Sequence, residues 1–167
     1  MTPISSWALV LGKWGAVSAV AMAITVLSSL SFVPSQWLIQ SETLSALFQF
    51  GMVEALAFVV VLAPLGGALA SILMAVAIRS KTFREAQATS TFVVLAASLI
   101  PAISFLNPSA QEAWHIWVPA LAQFQIMSSV LRGEAMSWLE LGISTGVCAA
   151  MTALCLLSVA SQIRKAV

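Results

Sequence analysis

An all-α, polytopic membrane fold is what this sequence predicts, and three observations predict it. Hydrophobic residues make up 60% of the 167 residues and charged ones only 8%, with a mean hydropathy of +1.02. A water-soluble domain carries about three times that share of charge. Four apolar stretches reach or approach the roughly 20 helical residues that cross a hydrocarbon core. None shows the period-2 alternation of an outer-membrane barrel, so helices are the way to satisfy their backbone groups in lipid. The charges are also sorted, with six of the seven basic residues on one side of a four-span arrangement and five of the six acids on or near the other.

Residues 1–13 read as a short helix lying along the inner interface. Thr2 suits the N-cap and Pro3 the first helical position. Ile4, Trp7, Leu11 and Trp14 recur at helical spacing, and Gly12 allows a bend into the first span, residues 14–33. Such a helix is either an interfacial anchor or a surface presented to a soluble partner. Residues 34–52 form an external connection in which Leu44, Leu47 and Phe48 form an amphipathic turn.

The second span covers 53–78. Pro64, ahead of Gly66 and Gly67, marks a kink. Gly67, Ser71 and Ala75 form a stripe of small residues four apart, which lets helix backbones approach closely in lipid. Residues 79–87 are the one strongly charged run. Arg79, Lys81, Arg84 and Glu85 mark the side they lie on, and Phe83 among them makes a candidate docking surface. The third span covers 88–106.

Residues 107–138 are the least ordinary. Their apolar part is nearly of span length and carries Trp114, His115, Pro119, Gln123 and Gln125. A full crossing there would invert the last span and move Arg164 and Lys165 to the acidic side. A re-entrant hairpin entering from outside avoids this, and an external interfacial helix is the alternative. Pro119 and the glutamines suit broken helices buried against protein. The last span, 139–163, carries a G-x-x-x-G step at Gly142 and Gly146. Its cysteines, Cys148 and Cys155, lie about 10 Å apart on a straight helix, too far for a disulfide.

The positive-inside rule places Lys13, Arg79, Lys81, Arg84, Arg164 and Lys165 in the cytoplasm, and with them both termini. The tryptophans agree: Trp7 and Trp14 mark the inner headgroup level, and Trp37, Trp114, Trp117 and Trp138 the outer. With no basic segment ahead of Lys13 and no small-residue cleavage site, the N-terminus is not read as a signal peptide.

Catalytic chemistry is sparse. There is no Asp, and His115 is the one histidine. An intramembrane metalloprotease needs His and acidic ligands at depth, and a serine protease needs a base beside its nucleophile. No phosphate-binding glycine loop is present, so ATP hydrolysis would belong to another subunit. The chain is read as no enzyme, with no cofactor, metal site or nucleic-acid partner. Glu54 and Glu140 are the candidates for an ion pathway, although both lie near the external ends of their spans.

Several segments together resemble the type-2 ABC exporter permeases, in their sodium-extrusion (NatB-like) branch. They are Thr2-Pro-Ile-Ser5 with Leu11-Gly-Lys13, then Arg79-Ser80 and Arg84-Glu-Ala-Gln87. Asn107-Pro108, Val118-Pro119 with Gln123, and Arg132-Gly-Glu134 follow in the same order. The resemblance implies that the first segment is a coupling helix docking into a cytoplasmic ATPase subunit through Ile4, Ser5, Trp7 and Leu11. Lys81, Phe83, Arg84 and Glu85 would belong to a second contact loop. It implies a second permease chain, residence in the inner cell membrane, and an external re-entrant hairpin over 107–138. Sodium is the cargo it suggests, although lipids, peptides and drugs use the same architecture. Family permeases have six spans and a sizeable external domain, so this chain corresponds to their C-terminal membrane portion, as a fragment, a truncated product or half of a split permease. The rival reading is an accessory or regulatory membrane protein with no transport activity of its own.

Overall fold

The computed structural model describes residues 6–38, 51–106, 113–133 and 137–166, and the regular structure among them is helical throughout. Five helices follow in order: α1 Ser6–Leu38, α2 Met52–Ala77, α3 Phe83–Leu106, α4 Pro119–Leu131 and α5 Trp138–Ala166. A 3-10 turn, Ala113–Trp117, leads into α4. The expected amphipathic turn at Leu44, Leu47 and Phe48 lies outside the described residues, as do Ile4 and Ser5.

Among the described residues three helices are long and apolar enough to cross a membrane: Trp7–Ser31 of α1, Met52–Ala77, and Trp138–Arg164 of α5. In α1 only 6% of the most apolar window is buried by the protein, and Val17, Val20, Ile24 and Leu27 all face outward. So continuous an apolar surface is untenable in water and ordinary in lipid. The protein is a helical membrane protein.

α1 departs from expectation at its start. It runs unbroken from Ser6 through Gly12, so Trp7 and Leu11 belong to the spanning helix itself and not to a separate interfacial helix bent at residue 12. A glycine costs a helix only about 1 kcal/mol relative to alanine, and its neighbours Leu9, Val10, Leu11 and Lys13 favour continuation. α2 matches the expected second span to within one residue at each end and continues through Pro64.

α3, expected as a span over 88–106, begins five residues earlier. Its 24 residues are about 36 Å long, but the opening turns carry Arg84, Glu85, Gln87 and Thr89, which sets it apart from the three apolar helices. The start is fixed by a cap: Thr82 Oγ1 accepts the Glu85 N–H at 3.2 Å, and the Glu85 carboxylate reaches back to the Lys81 N–H at 3.0 Å. Phe83, Arg84 and Glu85 are therefore the first helical turn, not loop.

α2 is the central helix and touches all four others. It runs antiparallel to α1, with Val10 near Met74 and Ala75, Trp14 against Gly67, and Ala21 beside Gly66. Alongside α5 it runs parallel, from Val61 with Leu141 at one end to Arg79 with Ser158 at the other. α4 lies antiparallel to both. Val130 packs with Ala55 and Phe58, Ile126 with Val61 and Leu141, and Gln123 reaches Cys148. Cys148 stands ten residues into α5, about 15 Å along its axis. The N-terminus of α4 thus sits well inside the bundle.

Candidate functional site

One end of the bundle gathers cations. Lys13 stands in the early turns of α1, Arg79 and Lys81 follow α2, Arg84 opens α3, and Arg164 closes α5. Among the described residues none of the five makes an ion pair. Arg79 donates from Nη2 to Ser158 Oγ at 3.2 Å, fastening the end of α2 to α5. The one described acid here, Glu85, is engaged by the Lys81 backbone N–H. Exposed apolar groups stand among these charges: Phe83 is 83% exposed, and Trp7 and Leu11 are each nearly half exposed. Trp7 and Leu11 lie on the α1 flank of α2, and Phe83, Arg84 and Glu85 on the α3 flank, so the expected contact residues share an end of the bundle without forming one cluster.

The opposite end holds Glu54 and Glu140, each in the first turn of its helix. The Glu54 carboxylate accepts the Gly51 N–H at 2.7 Å, and the Glu140 N–H approaches Ser137 Oγ at 3.5 Å. A carboxylate at a helix N-terminus is favoured by the unpaired N–H groups and the helix dipole there. Both acids are therefore accounted for as helix-start residues.

Between the ends lies a small polar cluster in the α4–α5 seam. Gln123 is 1% exposed, Ser144 1% and Cys148 wholly buried. Gln123 Nε2 donates to Cys148 Sγ at 3.5 Å. Among the described residues, the amide oxygen Oε1 and the Ser144 hydroxyl, one helical turn before Cys148, have no hydrogen-bond partner. Ser18 Oγ on α1 is likewise without one, whereas the buried hydroxyl of Ser71 is satisfied by the Ala68 carbonyl at 2.7 Å; the cluster is where two such groups meet. Ser144 went unrecognised in the sequence because it falls inside the Gly142–Gly146 step. Its i, i+4 relation to Cys148 was the available signal.

The two small-residue stripes have different fates. Gly67, Ser71 and Ala75 face inward. A Cβ on Gly67 would come within 3.4 Å of Trp14 Cζ2, and the Trp14 indole N–H donates to the Gly67 carbonyl at 3.0 Å. Ala75 packs against the cluster of Val10, Leu156, Val159 and Ala160. Gly142 and Gly146 face outward, and a Cβ on either meets nothing within 4 Å. They mediate no helix contact among the described residues.

No three His, Cys, Asp or Glu side chains converge among the described residues, and both cysteines are free thiols. The described residues offer a cationic face with exposed aromatic groups, and a buried amide–hydroxyl–thiol cluster between two helices. No protein-family model, curated protein or solved structure matches the chain.

Proposed function

We propose that this chain is the membrane-spanning permease part of an ATP-driven exporter, served by a separate cytoplasmic ATPase subunit and paired with a second permease chain, with sodium as the first cargo to assay. The observation that carries the reading is the cationic end, where Phe83 stands almost fully exposed beside Lys81 and Arg84. A single exposed Phe is ordinary by itself; what supports the reading is its place among Lys81, Arg84 and Glu85, at the end of the bundle that also exposes Trp7 and Leu11. Trp7 and Leu11 offer a second apolar contact at the same end. The positive-inside rule turns that end toward the cytoplasm, where an ATPase would dock.

In this reading α3 is the remaining span of a four-span bundle. The 3-10 turn and α4 form the inner part of a hairpin that enters from outside and returns. Its support is the antiparallel course of α4 and the position of Gln123 beside Cys148, deep along α5. Non-helical backbone at that depth is tolerated where protein covers it. ATP-driven closure of the partner would bias a two-state bundle, which requires contacts that differ between the states.

Co-purification of the tagged chain from native membranes, with partners identified by mass spectrometry, tests the proposal. A stoichiometric ATPase is expected from the wild type and its loss from Phe83→Asp, with the thermal midpoint of the chain unchanged. Recovery without an ATPase, under detergent conditions that keep known exporters intact, would defeat the reading and leave an accessory membrane protein in its place.

A further inference from the structure

Two grooves lie in line along the seam between α1 and α5. The larger, about 550 Å³, is walled by Trp14, Ser18 and Met22 of α1 and by Ala149, Ala153 and Leu156 of α5. Gly67, with no side chain, forms part of its floor. A second section of about 270 Å³ continues the seam toward the cationic end, between Trp7 on one side and Ala160, Ser161 and Arg164 on the other. The two sections share one stripe on each helix. Residues 7, 14, 18 and 22 of α1 recur at helical spacing, as do 149, 153, 156, 160 and 164 of α5. From Met22 to Trp7 the seam follows 15 residues, about 22 Å, longer than the roughly 15 Å of one hydrocarbon leaflet.

The shape is that of an amphiphile. The long section is mainly apolar, with Trp14, Met22 and Leu156 beside alanines and a few hydroxyls, and the short section ends in the Trp7 indole and the Arg164 guanidinium, with the Ser161 hydroxyl beside them donated to the Ser158 carbonyl at 2.8 Å. Arg164 is exposed and makes no ion pair among the described residues. Five cations stand at this end against the one described acid, Glu85, which lies on the far flank of α2. Among the described residues this end is therefore net positive, which favours an anionic group there, and Trp and Arg are the residues that anchor at headgroup depth.

We propose that the α1–α5 seam binds an anionic phospholipid, with one acyl chain along Trp14, Ser18 and Ala153 and its phosphate at Arg164 and Trp7. The proposal rests on the protein being a membrane protein and is independent of the exporter reading. A zwitterionic lipid would satisfy the apolar section equally well, but it brings a cation along with its phosphate and so adds no net negative charge to a cationic end. A lipid headed by phosphoglycerol supplies both parts.

The test is native mass spectrometry of the full chain, extracted from membranes containing equal phosphatidylglycerol and phosphatidylcholine of matched acyl chains. Preferential retention of phosphatidylglycerol is expected. Arg164→Gln should lower the ratio of the two bound lipids roughly fivefold, the weight of one cation near an anionic surface, whereas Arg164→Lys should preserve it. Ala153→Phe, filling the long section from an exposed position, should reduce retention of both lipids without lowering the thermal midpoint. Equal retention of the two lipids by the wild type would overturn the proposal, as would an Arg164→Gln ratio equal to the wild type's or an unaffected Ala153→Phe. A lipid-free dimer would also overturn it and assign the groove to a second copy of the chain.

Discussion

Replacing Gln123 with leucine should stabilise the bundle. The amide is almost wholly enclosed, and its oxygen accepts no hydrogen bond among the described residues. An unsatisfied buried acceptor costs about 1–3 kcal/mol, and leucine removes it at similar volume. The loss on the other side is the Nε2–H···Sγ contact to Cys148 at 3.5 Å. Sulfur is a weak acceptor, and interhelical hydrogen bonds in membrane proteins average only about 0.6 kcal/mol. The balance favours leucine by about 1 kcal/mol. Equilibrium unfolding in mixed micelles measures it, with Ser144→Ala and the double variant completing a thermodynamic cycle. A destabilisation of 1 kcal/mol or more by Gln123→Leu would refute the reasoning. It would mean that the amide oxygen is satisfied in the native protein by a bound polar species, and that the cluster is a binding site and not a stored cost.

Three further predictions follow from other seams. Trp14→Phe removes the indole N–H donated to Gly67 and should cost about 1 kcal/mol, whereas Gly67→Val should cost more, because even its Cβ would sit 3.4 Å from the Trp14 ring. Unfolding of both variants against the wild type checks the order. Thr82→Ala removes the cap of α3 and should cost about 1 kcal/mol, with faster hydrogen exchange confined to the amides near Glu85. Gly146→Leu should be neutral or mildly stabilising to the single chain, since a Cβ there meets nothing within 4 Å and leucine is the better helix former. A clear loss of stability would instead place another helix against that face.

The parts of the fold legible in the sequence are those set by hydropathy alone. α2 falls within one residue of the expected 53–78, and α5 begins one residue before the expected 139, because a long apolar run has one way to satisfy its backbone in lipid. Helix starts were less legible. Lys13 looked like a boundary, but a helix does not end where the bilayer does, and α1 continues back to Ser6. Thr82-Phe-Arg-Glu85 carried a capping-box pattern that charge composition obscured, and it moves Phe83 from loop to helix. Pro119 did mark a helix start, and Gln123 was flagged for burial against protein, but its pairing with Cys148 depends on the register of two helices remote in sequence. Local periodicity does not encode that register. The same limit explains the glycine stripes. A small residue tells that a backbone can approach, and only the packing tells that Gly67 is approached while Gly142 and Gly146 are not.

The two seams flanking the central helix differ in what holds them. Between α1 and α2 a 3.0 Å indole–carbonyl hydrogen bond joins Trp14 to Gly67, and Val10 is buried with Leu156 and Val159 beside Ala75. Separating these helices breaks a good hydrogen bond and opens a packed cluster. Between α4 and α5 the polar contact is one long N–H···S interaction, with two groups beside it already unsatisfied. Sliding α4 along α5 forfeits little polar energy and gives Gln123 Oε1 and Ser144 Oγ the chance to find partners. The cost of such a slide falls mainly on the apolar contacts of Ile126 and Val130 with α2 and α5. If the bundle has two states, this seam distinguishes them at the lowest cost. The Gln123→Leu variant should then lock the packed state as well as stabilise it, which spin-label distances between the ends of α4 and α5 would report as a narrowed distribution.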